Sequence, residues 1–192
     1  MTETGPHLLS VDGLTARRLD CEPRVTLIAG AEAGLRAELW LGGANAAGGV
    51  ALRAADLEGA ILVDCAGEAP STLREAAARV IPFVFPDLDA VPQRYARLLA
   101  LAGELGAVLR GASAVAPPAA ASGTAPRRLY VLCQQGLNRS ALVSGLALRA
   151  AGLGAQETLA LLRRRRPGCL TNQTYAALIS GELDGIVAEP SR

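Results

Sequence analysis

Reactive side chains are concentrated between positions 133 and 140, where the sequence reads Cys-Gln-Gln-Gly-Leu-Asn-Arg-Ser. A thiol, a guanidinium and a hydroxyl at this spacing suit attack on a phosphate. A loop entering a helix presents free backbone N–H groups, and the helix dipole adds positive potential there. Successive amides curled round one point make an anion nest. Gly136 permits backbone angles that a Cβ forbids. Arg139 offers a planar fork that matches two phosphate oxygens. In the same field Cys133 is expected to ionise below the usual thiol value, and Ser140 to hydrogen-bond the thiolate. Gln134, Gln135, Gly136, Leu137 and Asn138 would line the anion site. The competing reading is a buried Cys ending a core strand, with an Arg capping something nearby.

The flanks supply the elements such a loop needs. Residues 129–132 are a short apolar run, which predicts a buried strand. Residues 140–151 are apolar almost all round, which predicts a buried helix. Further strands are expected at 25–29, closed by Gly30, and at 37–41, closed by Gly42 and Gly43. The run 60–65 is apolar up to a closing polar pair, Asp64 and Cys65, and reads as a strand buried on both faces. At 80–85, Pro82 marks an edge strand or a strand start. Leu8, Leu9 and Val11 suit a further edge strand. Helices are expected at 50–57, from Ser71 with Ser71 as its cap, at 93–110, at 156–166, and at 172–183 with Thr171 as its cap. These alternations predict an α/β fold with a central, mostly parallel sheet of about five strands flanked by helices. In doubly wound sheets ligands collect at the carboxyl ends of the strands, which brings Cys65 near Cys133.

Composition bounds the rest. At 192 residues the chain is long enough for one domain, 1–192. Hydrophobic residues make up 51% and aromatics only 3%, so the core must be built from Ala, Leu and Val. All 19 basic residues are Arg; against 18 acidic ones the net charge is +1, which gives no global pull toward nucleic acid. The four cysteines are widely spaced with no C-x-x-C pair, which argues against zinc and against a disulfide framework. A reducing cytoplasm fits that pattern. No apolar run is long enough to span a membrane, and the start lacks the pattern of a signal peptide. Residues 1–20 are weakly patterned, 111–126 read as a flexible Ala/Pro-rich insertion, and 184–192 as a disordered tail.

The 133–140 loop resembles the signature loop of the cysteine-dependent phosphatases, C-x5-R-[ST] with Gly at this place, in particular the dual-specificity branch of the protein tyrosine phosphatase family. The resemblance covers roughly residues 37–183. One position departs: Leu132 stands where that family usually has His, which orients the loop from outside. The resemblance implies a dual-specificity phosphatase-like fold and hydrolysis of phosphate monoesters through a cysteinyl-phosphate intermediate. Cys133 would be the nucleophile, Arg139 the clamp on the phosphoryl oxygens, and Ser140 the aid to thiolate departure. No metal or cofactor is needed, because Arg139 and the nest supply the positive charge.

Pro-Asp-Leu-Asp-Ala-Val-Pro at 86–92 resembles the family's general-acid loop. We assign Asp87 as the acid and Asp89 as the cap of the helix that follows, although an Asp before a Pro-started helix is also an ordinary N-cap. The segment 63–66 resembles a lipid-phosphatase relative in which a Cys after the matching strand forms a disulfide with the nucleophile. Cys65 is thereby a candidate redox partner, and also an ordinary buried Cys. Arg163 to Arg166 complement a helix C-terminus. The stretch 166–172 resembles the family's closing Arg-Pro segment, which makes Arg166 a candidate support of the loop; the run also suits a basic docking patch.

The positions 134, 135, 137 and 138 carry no charge, so a phosphorylated protein, phosphotyrosine first and phosphoserine or phosphothreonine next, is favoured as substrate. A phosphoinositide or another small phosphate ester is the alternative. A non-catalytic phosphate-binding pseudophosphatase, a rhodanese-like sulfurtransferase and a low-molecular-weight arsenate reductase fit less well: the loop lies late in the chain, and Ser140 and Asp87 are present.

Overall fold

The computed structural model describes residues 22–112 and 127–183, together with the backbone of a hairpin in which β1 (Leu8–Val11) pairs antiparallel with β2 (Leu14–Arg17). That hairpin is a separate two-stranded sheet, so Leu8, Leu9 and Val11 do not extend the main one. Most of the 111–126 insertion and all of the 184–192 tail lie outside the described residues, as do His7 and Cys21.

The main sheet has six strands: β3 (Arg24–Ala29), β4 (Ala37–Gly43), β5 (Val50–Ala51), β6 (Ile61–Asp64), β7 (Arg79–Pro82) and β8 (Arg127–Cys133), in the order β5-β3-β4-β8-β6-β7. The four strands β4, β8, β6 and β7 are parallel; β3 and β5 add antiparallel pairs on one edge. The sixth strand is β5, which lies where a helix over 50–57 is expected. Val50 and Ala51 instead pair with Val25 and Arg24, and the chain then makes one 3-10 turn, Ala54–Leu57, in which only Leu57 is buried. One buried residue gives a helix no apolar stripe, so edge pairing prevails.

β8 shows why its sequence is continuously apolar. Leu129, Val131 and Cys133 face the larger core, packed by α2 (Tyr95–Leu109), α3 (Arg139–Ala150), α4 (Ala155–Arg165) and α5 (Gln173–Ser180). Tyr130 and Leu132 face a smaller cluster with Leu57, Leu62 and Leu73, the last on α1 (Ser71–Ala76). Burying each such Leu or Val contributes about 2 kcal/mol, so both faces anchor the strand. Leu132 thus packs away from the loop that follows it. The helix α3 is buried over nine of its twelve residues, as its nearly uniform apolar sequence predicts.

Three caps differ from expectation. Pro70, not Ser71, precedes α1, and Ser71 is its first residue. The loop before it is organised by the buried carboxylate of Asp64, which accepts the N–H groups of Ala66, Gly67 and Ala69. Arg94 precedes α2 and no side chain caps that helix. Asn172, not Thr171, caps α5, accepting the Tyr175 N–H at 3.0 Å. No helix among the described residues is long and apolar enough to cross a membrane.

Candidate active site

Parallel register brings Gly43 of β4 level with Cys133 of β8, and Asp64 of β6 level with Leu132. The carboxyl ends of three strands therefore meet where the 133–140 loop begins. Five consecutive loop carbonyls are all bonded on the outer side. Cys133 O accepts the Ala44 N–H at 2.9 Å, and Gln134 O accepts the Asn45 N–H at 2.7 Å. Arg166 donates from Nη2 to Gln135 O at 3.4 Å and from Nε to Gly136 O at 3.1 Å. Leu137 O accepts the Leu170 N–H at 2.9 Å. In a trans peptide the next N–H points opposite to the carbonyl. With every carbonyl turned out, the amides of residues 134–138 turn in, and that is the anion nest.

The curl demands glycine at two places. Gly136 has φ +68°, and a Cβ there would lie 2.5 Å from the Gly42 carbonyl carbon. A Cβ on Gly43 would lie 2.5 Å from both Gln134 O and Gly136 N. The loop rests directly on the bare backbone at the end of β4.

Inside the curl, Cys133 Sγ accepts the Gly136 N–H at 3.2 Å and lies 3.2 Å from Ser140 Oγ. Arg139 donates from Nη1 to Phe85 O at 3.2 Å, while its buried Nε has no partner. A buried guanidinium N–H left free is costly unless something accepts from it, and an anion in the nest would. A cavity of about 250 Å³ is lined by Cys133, Gln134, Gln135, Leu137, Asn138 and Arg139, with Asp87 and Thr171 on its wall. The structure thus brings together all the residues singled out at this loop. The Asn138 side chain also braces the loop against α5: its Oδ1 accepts from Thr171 Oγ1 at 3.1 Å and from the Asn172 N–H at 3.2 Å.

The run Arg163 to Arg166 divides. Arg165 pairs with Glu32 at 3.4 Å, Arg163 and Arg164 are exposed, and Arg166 is buried. Besides the two loop carbonyls, Arg166 reaches Thr26 Oγ1 at 3.0 Å and Gly48 O at 3.2 Å through Nη1. Burial pulls its guanidinium below the usual value, since its partners are neutral dipoles.

The acid loop is tied to the start of α5. Asn172 Nδ2 donates to Leu88 O at 2.8 Å, and the Tyr175 hydroxyl donates to Pro86 O at 3.0 Å. Phe85 packs against the Tyr175 ring, centroids 6.2 Å apart. Asp89 does cap a helix, but it is α5: its Oδ1 accepts the Thr174 N–H at 3.1 Å. Hydrogen bonds from the Thr174 side chain and backbone hold the exposed Asp89 carboxyl below the usual range. This anchor is therefore present above the unfolded value of about 3.9 and lost as pH falls through the lower folded value. Asp87, two residues earlier, stays on the cavity wall. Sequence reading missed Asn172 and Tyr175. Asn172 had a usable signal, as Asn is a stronger cap than Thr. Tyr175 had none, because an inward Tyr reads as core.

Cys65 is fully buried beside the loop. Its N–H donates to Leu132 O at 2.8 Å, next to Cys133; burial raises its thiol pKa, and the charges of Cys133 and Asp64 raise it further. Cys169 is raised chiefly by burial. Cys65, Cys133 and Cys169 are all free.

No protein-family model matches the sequence, and no curated protein is similar to it. Solved structures do match. Human DUSP28 is 16% identical, with TM-score 0.53 over 86% of this chain and 96% of its own. The Yvh1 phosphatase domain from Chaetomium thermophilum is 16% identical, with TM-score 0.55 over 88% and 99%. Tk-PTP in its active form is 19% identical, with TM-score 0.52 over 84% and 97%. At such identities the likeness is one of backbone, and it extends over nearly the whole length of those structures. The chain has the fold of these dual-specificity and protein tyrosine phosphatase structures.

Proposed function

We propose that the protein is a cysteine-dependent phosphoprotein phosphatase, acting on phosphotyrosine first, in a reducing cytoplasm. The observation that carries this is the Cys133 sulfur, held by the Gly136 N–H and beside Ser140 Oγ, in a cavity that Arg139 and Asp87 also line. The Cys133 thiolate attacks phosphorus in line and forms the S–P bond. The inward amides and Arg139 hold the equatorial oxygens as charge builds on them. Asp87 gives its proton to the departing oxygen. The resulting carboxylate takes a proton from the water that attacks phosphorus in the second step. The S–P bond breaks, and Ser140 donates a hydrogen bond to the leaving thiolate.

The substrate class follows from charge. The positions 134, 135, 137 and 138 are uncharged, Arg166 is occupied with carbonyls, and Arg165 is paired with Glu32. An inositol ring with several phosphates would ask for more free cations at the mouth.

The test is release of p-nitrophenol from p-nitrophenyl phosphate in EDTA and dithiothreitol, wild type beside Cys133→Ser. Metal-independent turnover that vanishes in the variant is expected. A folded wild type with no turnover overturns the reading in favour of a phosphate-binding module. For the acid, Asp87→Asn should slow poor leaving groups by about a hundredfold and good ones far less. Asp89→Asn should leave both within a few-fold, and the opposite pattern would exchange their roles.

Cys65 is assigned as a redox partner of the nucleophile. Peroxide converts the Cys133 thiolate to a sulfenic acid. The Cys65 thiol then attacks that sulfur, water leaves, and a disulfide remains that dithiothreitol reduces. After a peroxide pulse and reduction, wild type should regain most activity and Cys65→Ser several-fold less, its Cys133 having advanced to the sulfinic acid. Equal recovery removes the assignment.

A further inference from the structure

Next to the catalytic cavity lies a second groove of about 380 Å³, lined by Phe83, Val84, Pro86, Pro92, Arg94 and Arg97 among others. The two share one strip of chain. Pro86 walls the groove, and Asp87, the next residue, walls the catalytic cavity. Three features of this strip run against what stability alone would select. Of the five exposed large hydrophobic side chains among the described residues, Val84, Leu88 and Val91 all lie on this one segment. Arg94 and Arg97 are exposed, lie three positions apart on one side of α2, and make no ion pair with any described residue. Both also sit at the N-terminal end of α2, whose first turn holds no acidic residue. Cations there oppose the helix dipole. A groove walled by Phe83, Val84 and prolines, sharing Pro86 with the acid loop and holding two uncompensated cations, is complementary to a ligand that is part apolar and part anionic.

We propose that this groove docks the polypeptide flanking a substrate's phosphorylated residue, and selects an acidic side chain set beside an apolar one. The position of the phosphoryl group rests on the phosphatase reading above. A peptide fits better than nucleic acid, because the walls are proline and phenylalanine and the cations are only two. Because adjacent residues, Pro86 and Asp87, wall the two cavities, and an extended peptide advances about 3.3 Å per residue, the acid falls within a few residues of the phosphoresidue.

The test is equilibrium binding of fluorescent phosphotyrosyl peptides to Cys133→Ser protein. One peptide carries a Glu-Leu pair within a few residues of the phosphotyrosine, and its control carries Ala at both places, on each flank in turn. On one flank the Glu-Leu peptide should bind about tenfold tighter at low salt, and the gap should shrink as salt rises. Adding Arg94→Gln and Arg97→Gln should close it. Equal affinities on both flanks, or a gap that survives the double substitution, overturn the proposal. Because binding is read without turnover, an inactive wild type that still showed the gap would overturn the phosphatase reading and leave the docking surface standing.

Discussion

Arg139→Lys is expected to lower kcat/KM for p-nitrophenyl phosphate by about a thousandfold with the fold intact. On the proposed mechanism the guanidinium does two things at once. Nη1 is spent on Phe85 O, and the remaining N–H groups, including the unpartnered buried Nε, would meet the phosphoryl oxygens. Lysine keeps the charge but is a point donor on a flexible stem. It can meet the phosphate or the Phe85 carbonyl, not both in one fixed plane. Losing one preorganised donor to a transition state commonly costs about a hundredfold to a thousandfold, and here two in-plane donors are lost together. The loss should appear in kcat as well as KM, because charge on the equatorial oxygens builds as the bond breaks. A lysine variant within tenfold of wild type would mean that the amides alone carry the stabilisation. Thermal melting of the same sample checks that the fold is kept.

Arg166→Ala is the second large effect, and its signature differs. Arg166 never reaches the cavity; it bonds Gln135 O and Gly136 O from outside, and Gly48 O and Thr26 Oγ1 beyond them. Truncation leaves Gly136 O buried with no donor, at about 1–3 kcal/mol where water cannot enter, and unties the part-buried acceptors on Gln135, Gly48 and Thr26. A net loss of about 3 kcal/mol, or roughly 6–12 °C in Tm, is expected. The two freed carbonyls also let the peptides rotate, which blunts the inward amides. Affinity for vanadate, read at a temperature where the variant is folded, should fall by about tenfold or more. A fall in Tm with unchanged vanadate affinity would reduce Arg166 to a core residue. Arg166→Lys should recover part of the stability and little of the affinity, since one ammonium cannot span carbonyls on two loops.

The strand, loop and helix around Cys133 were legible because each level of the sequence agrees: a run apolar on both faces, a glycine where φ is positive, and a helix apolar all round. The paired Asp residues were legible only by position after a strand. What separated them was the Thr174 N–H 85 residues further on, which local sequence cannot reveal. The helix expected at 50–57 failed for a related reason. Pairing with β3 prevails although Ala, Leu and Arg there favour helix, and edge pairing leaves little mark in two residues. Arg166 was set apart from its three neighbours only by the resemblance of 166–172 to a closing Arg-Pro segment; the run by itself reads as four cations complementing a helix end, although only this one turns inward.

The ties from α5 also set an order of assembly. Asp87, Cys133 and Arg139 are all made before residue 140, yet the donors that anchor the acid loop belong to Asn172, Thr174 and Tyr175. The outer donor to Leu137 O comes from Leu170, itself at φ +58°, where a side chain is strained unless its surroundings insist. A growing chain that has released only its first 150 residues would hold every reacting group and lack the frame that aims them. On the proposed mechanism, competence then comes only with α5, so that a half-made chain would not yet turn over a phosphate ester.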